Sequence, residues 1–132
     1  MGQYWLPVNL DKKEFIHPHK LASGLKLWEQ VAGRYVGSAL IILVSAMPEY
    51  RGGGDLEEHP AIGRWAGDRI ALVGDYAESS DLPLDNASEI WDNINKEDSE
   101  WVDISLMVCD VIEKELEGKF VGDGWRKFEG RY

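Results

Sequence analysis

The chain has 132 residues, 44% of them hydrophobic, and a formal net charge of −10 at pH 7. That length suits one ordinary domain, 1–132, with its own core. The acidic balance disfavours a reader of the phosphate backbone, which needs clustered Lys and Arg, the lone Cys109 excludes an intrachain disulfide, and the longest apolar run, 39–44, is too short to span a bilayer.

Residues 3–10 mix aromatic and β-branched side chains around Pro7 and read as a strand. Proline cannot donate to a ladder, so Pro7 predicts an edge position. Asp11-Lys12-Lys13 is a polar turn, and 14–17 reads as the return strand, giving an N-terminal β-hairpin. Residues 25–28 fit either a third strand or the first turn of a helix. In 34–47, Val36, Leu40, Leu43, Val44 and Met47 recur at helical spacing, while Ile41-Ile42 favours a buried strand. The length of the segment and Pro48 just beyond it decide for a helix.

Arg51-Gly52-Gly53-Gly54-Asp55 is a loop, because consecutive glycines lose too much backbone entropy in a regular element. Residues 69–74 form the clearest strand, ended by Gly74-Asp75, and 78–85 is a polar loop containing Pro83. Ala87, Ile90, Trp91 and Ile94 mark a short helix, with Asp85 or Asn86 as its cap. The strongest helix spans 103–117: Ile104, Met107, Val108, Val111 and Ile112 form one stripe, Asp103 suits the N-cap and Gly118 the C-terminal turn. The tail 119–132 carries Phe120, Trp125 and Phe128 and reads as a last strand or a docked extension. The sum is an α+β fold: a mainly antiparallel sheet, begun by the hairpin, packed against two or three helices.

Charge is unevenly spread. Residues 1–50 hold four acids and five bases, a net of +1, so 51–132 carry −11. Between Asp75 and Asp103 stand ten acids and one base, Lys96. This stretch is either a hydrated, solubilising face or a surface that meets a basic protein partner or imitates nucleic acid. Six tryptophans divide between core and surface.

Several groups could carry chemistry. Gly-Asp recurs at Gly54-Asp55, Gly67-Asp68, Gly74-Asp75 and Gly122-Asp123. Each pair makes a turn, and converging carboxylates would suit a hard cation, although no EF-hand spacing exists. The loop Arg51, Gly52, Gly53, Gly54, Asp55 can turn amides toward an anion, with Arg51 as a bidentate partner for phosphate. It is neither a Walker A motif nor a dinucleotide fingerprint. Arg64-Trp65-Ala66-Gly67-Asp68-Arg69 can stack a base or hold a peptide, or form a turn with Trp65 capping the core. His17-Pro18-His19 and His59 fit a zinc set, an acid–base role for His17 or His19, or plain surface loops. Ser23, Ser38 and Ser45 lie in no nucleophile elbow, and Cys109, beside an apolar stripe, suits packing. No catalytic set is complete and no cofactor is implied.

Met1-Gly2-Gln3-Tyr4, Val8-Asn9-Leu10-Asp11-Lys12-Lys13-Glu14, His17-Pro18-His19-Lys20 and Gly24-Leu25-Lys26-Leu27, with the Arg51–Asp55 loop, the block from Gly63 to Ile70 and Gly74-Asp75-Tyr76-Ala77, form a distinctive set. In these, roughly the first 77 residues, the chain resembles a family of small uncharacterised proteins from bacteria and their phages. The resemblance implies that the glycine loop and the Arg64–Asp68 block belong to one feature, and it implies a phage or prophage source. It carries over no catalytic residues.

The start is not a signal peptide, lacking a basic opening and a long apolar run, and Leu6 breaks a myristoylation motif. The expected setting is therefore the cytoplasm of a bacterium or phage-infected host, with no membrane partner. Three function classes follow in order. The first is a non-catalytic interaction protein using the acidic face. The second is a binder of a small phosphate compound through Arg51–Asp55, Arg64 and Arg69. The third is a hydrolase using His17 or His19 with Asp55, Asp68 or Asp75, with or without a metal.

Overall fold

The computed structural model describes residues 2–46, 49–78, 80–81 and 87–116. Strand β1 (Trp5–Asn9) begins the sheet. Its alternation sends Leu6 and Val8 to one face and Pro7 and Asn9 to the other. A turn with Lys13 in the left-handed region (φ 55°) leads into β2 (Glu14–Phe15), antiparallel to β1. Strand β3 (Ile70–Gly74) lies antiparallel on the other side of β1. Strand β4 (Val102–Asp103) runs parallel to β2, and the order is β3-β1-β2-β4. The architecture is the expected α+β, with a mostly antiparallel sheet.

The sheet carries apolar residues on both faces. Leu6, Val8, Phe15 and Val73 pack with Ile90 and Ile94 of helix α3 (Ala87–Asn95). Ile16, just past β2 and on the opposite face, joins the larger core. That core combines Val36, Ala39, Ile42 and Leu43 of helix α2 (Val36–Val44), Trp65, and Val108, Val111 and Ile112 of helix α4 (Ser105–Leu116). A 3₁₀ turn (Pro18–Leu21) and the short helix α1 (Leu27–Ala32) complete the described elements. The C-terminal end of α2 is closed by another segment: Gly63 N–H donates to Ile42 O at 2.9 Å and Trp65 N–H to Leu43 O at 2.8 Å. These bonds satisfy carbonyls that a helix end leaves orphaned.

Five local readings are corrected or resolved. Pro7 is not at an edge, because β1 is flanked by β2 and β3. It is tolerated there because β2 is two residues long and the pairing on that side ends at Pro7, whose carbonyl accepts from Ile16 N–H at 3.1 Å. The return strand stops at Phe15, since His17 Nδ1 accepts from His19 N–H at 3.2 Å and starts the 3₁₀ turn. Residues 25–28 lead into α1 rather than forming a strand, and 36–44 is helical despite Ile41-Ile42. Asp103, expected as the first cap of the last helix, sits in β4. Its Oδ1 still takes the Ser105 amide at 2.8 Å, so one side chain both ends a strand and opens a helix. Met47, Pro48, the 82–86 segment, Gly118 and the tail 119–132 lie outside the described residues.

Leu43 is fully buried between α2 and the 61–65 stretch. Leu43→Ala removes packed methyl groups and leaves a cavity, at a cost of about 2–5 kcal/mol. Urea unfolding should show that loss as a lower midpoint with an unchanged slope.

Candidate functional site

The polar residues flagged by sequence do not gather into one pocket. Most are bonded into the framework. Glu14 faces the larger core and is 5% exposed, yet it carries a carboxylate. Arg64 answers it with Nε at 3.0 and 3.1 Å from the two oxygens and with a further contact from Nη2. Trp65, with no exposed surface, donates its indole N–H to Oε1 at 2.9 Å. Burial alone would raise the Glu14 pKa, but the bonds from Arg64 and Trp65 outweigh it, and the carboxyl lies below its usual range. The same pairing raises Arg64. Guanidinium, indole and carboxylate thus make one closed unit.

A second unit stands beside it. Asn9, fully buried, accepts the amides of Asp11 at 2.9 Å and Lys12 at 2.8 Å. Its amide nitrogen donates to Asp68 Oδ2 at 2.8 Å, where the Lys12 ammonium also binds. Arg69 grips Asp11 through its backbone N–H at 2.7 Å and its Nε at 2.9 Å. Arg64, Trp65 and Arg69 donate to carboxylates of the hairpin and Asp68 accepts from it, so this block binds the hairpin to the strand that follows.

The Arg51–Asp55 loop turns in on itself. Gly52, Gly53 and Gly54 all have positive φ (104°, 36° and 96°), as consecutive glycines allow. Asp55 N–H donates to Gly52 O at 3.0 Å, and the Asp55 carboxylate accepts the Arg51 amide at 2.8 Å. An internal carboxylate thus sits on the loop's amide, where an anion was expected. The Arg51 guanidinium is exposed and 3.6 Å from Glu49. The bonds of this loop and those of the Arg64–Arg69 block run in different directions, one inward and one to the hairpin.

The histidines are also engaged. His17 is held by Ser105, whose Oγ accepts its backbone N–H at 2.7 Å. Burial, then the neighbouring His19 at a ring separation of 5.0 Å, lowers the His17 pKa. His59 Nδ1 accepts Ala61 N–H at 3.0 Å and its Nε2 meets Asp110 at 2.8 Å, so both ring nitrogens are occupied. Of the Gly-Asp pairs, Asp55 closes its own loop, Asp68 serves Asn9, and Asp75 Oδ1 accepts the Tyr4 amide at 3.0 Å. Asp123 lies outside the described residues. Among the described residues no group of three His, Cys, Asp or Glu side chains comes together to hold a metal. Cys109 donates to Lys20 O at 3.1 Å, and burial pushes its thiol up to about 12.

Sequence reasoning missed the two buried polar anchors, Glu14 and Asn9. Nothing marks a strand glutamate as buried except a distant partner, and Arg64-Trp65 was that signal. It left α1 open between strand and helix; the one buried residue of that helix is the polar Gln30, while Leu27, Trp28 and Val31 face solvent. Gln30 Nε2 donates to Trp5 O and Leu25 O at 2.8 and 2.9 Å. What the surface does present is charge. Glu89 and Asp92 of α3 and Glu97 and Asp98 after it are all exposed. Compared with known proteins, the chain matches no family model, no curated protein and no solved structure.

Removing Arg64 strands the Glu14 charge. Arg64→Ala should cost about 3 kcal/mol, the low end for breaking a buried pair, since the Arg64 side chain is 34% exposed. Chemical denaturation measures it, and Glu14→Gln in the Arg64→Ala background should recover part of the loss. His17 adds a pH dependence. Its folded pKa is lowered from the ordinary histidine value of 6.5, so the unfolded chain binds the extra proton and stability falls as pH drops below about 6.5. His17→Gln should flatten that limb in a pH series of thermal melts and leave the steeper fall near the carboxylate range.

Proposed function

We propose that this chain is a non-catalytic binding protein that presents an acidic face to a basic protein partner. The observation that carries this reading is the exposed set Glu89, Asp92, Glu97 and Asp98 on and just after α3, in a stretch where Lys96 is the one base. These residues are outward and solvated, whereas the groups that could have served catalysis or phosphate binding bond to neighbours in the chain. A single-sign face of this kind raises the encounter rate with an oppositely charged partner and rejects like-charged ones. The same field disfavours nucleic acid and anionic lipid surfaces. Among the described residues no helix is long and apolar enough to cross a membrane. On the strength of the family resemblance, we take the setting to be a bacterial or phage-infected cytoplasm.

The test is charge reversal at a surface that holds no core. The triple variant Asp92→Lys, Glu97→Lys, Asp98→Lys should melt within a few degrees of the wild type, because surface changes away from buried features typically cost little. It should fail to retain the basic protein that wild-type bait retains from host extract at low salt. Wild-type retention should weaken steeply as salt rises, since exposed charges are screened beyond about 8 Å at physiological ionic strength. A reversed variant that holds the same partner with the same salt dependence would remove the acidic face from the interaction.

A further inference from the structure

The outer edge of the sheet points to the form such a partner takes. β3 is the last strand, with β1 on one side and no described strand on the other. The ladder with β1 fixes which backbone groups it turns outward. Asp75 N–H donates to Tyr4 O at 3.0 Å and Leu10 N–H to Arg69 O at 2.9 Å, so residues 69, 71, 73 and 75 turn their peptide groups to β1. In an antiparallel ladder the intervening residues, Ile70, Leu72 and Gly74, turn theirs away. Gly74 O accepts from Ala77 N–H at 3.2 Å. The N–H and C=O of Ile70 and Leu72 and the N–H of Gly74 bond to nothing among the described residues.

The surroundings of this edge are acidic and partly apolar. No basic residue stands between Arg69 and Lys96, while Asp75, Glu78 and Asp81 follow the strand directly. Helix α3, with its exposed Glu89 and Asp92, packs on this same strand. A cavity of about 380 Å³ beside the edge is lined by Trp5, Leu72, Gly74, Tyr76 and Asp81, among others. Ile70 is 39% exposed and Tyr76 63%. Apolar wall and carboxylate together suit a side chain with an aliphatic stem and a cationic head.

We propose that the outer edge of β3 receives an extended, basic segment of a partner protein as an added strand. The proposal rests on the acidic-face reading and gives its partner a conformation. Main-chain hydrogen bonds to Ile70, Leu72 and Gly74 supply affinity, and alternate side chains of the incoming strand supply specificity. One Lys or Arg lays its stem on Trp5 and Leu72 and reaches Asp81. A second copy of this chain is the wrong occupant: two chains of net charge −10 would bring the same carboxylates face to face across the edge.

Two synthetic peptides of alternating Lys and Val, equal in length and charge, test this. One has its pairing backbone nitrogens methylated and so cannot donate. NMR titration of the intact protein at low salt follows affinity and amide exchange at Ile70, Leu72 and Gly74. The unmodified peptide should bind roughly tenfold tighter or better, the effect of one or two lost hydrogen bonds. It should slow exchange at those three amides, and Asp81→Asn should weaken it. Equal binding of both peptides, with edge amides exchanging as in the free protein, would mean attraction by charge alone: strand addition fails and the acidic face stands. Binding by neither peptide would overturn both.

Discussion

The fold depends on a carboxylate placed inside it. Glu14 stands at the start of a two-residue strand and faces the larger core, where an unpaired charge is untenable. Its bonds to Arg64 and Trp65 bring the 61–69 stretch against the hairpin from fifty residues away. Much else follows from that contact. Trp65 is drawn under the sheet, and its own amide then reaches Leu43 O to close α2. Asp68 and Arg69 arrive beside the hairpin turn, where Asn9, Lys12 and Asp11 bind them. β3 begins at the next residue, already in register with β1. A buried ion pair is weak evidence of net stability, because desolvation offsets the attraction. Here its effect is positional: it selects which segment lies against the hairpin and in which register.

This arrangement separates two populations of charge. Asp11, Lys12 and Glu14 of the hairpin, with Arg64, Asp68 and Arg69, are bonded to one another and fix the framework. Asp75 and Asp103 apart, the acids from β3 to β4 are mostly turned outward. Residues that look chemically gifted in sequence, Trp65 between arginines or Asp55, Asp68 and Asp75 after glycine, thus bond to neighbours in the chain. The unremarkable acidic run becomes the distinctive surface. Functional sites are commonly carried by segments that a rigid scaffold supports without needing, and α3 with its following turn fits that description.

The sequence carried the fold class, the hairpin, the strand before Gly74 and the helices over 36–44 and 87–95, because these rest on local periodicity and turn chemistry. It missed what depends on distant partners. Pro7 reads as an edge residue by local rule, and only the shortness of β2 makes an inner position possible. Val102-Asp103 is too short to register as a strand until β2 lies beside it. For the candidate site, the residue types in the Arg64–Arg69 block were legible but their direction was not. A guanidinium facing solvent and one facing a buried glutamate are identical in sequence, and Glu14 itself gave no local sign of burial. α1 is the sharpest case: its apolar residues face outward because Gln30 is drawn inward by the carbonyls of Trp5 and Leu25, a tertiary contact that overrides amphipathic patterning.

An open sheet edge is a hazard for any chain, since unpaired amides recruit other strands, and proteins blunt such edges with charge. The acids after β3 perform that task against copies of the same chain, which all carry the same sign. The protection is selective by its nature. A field that repels an acidic strand attracts a basic one, so the means of keeping the edge free in solution also determines what is admitted to it. On this proposal the exposed carboxylates and the backbone of β3, unpaired among the described residues, act as one device, in which charge sets the identity of the visitor and the ladder sets its shape.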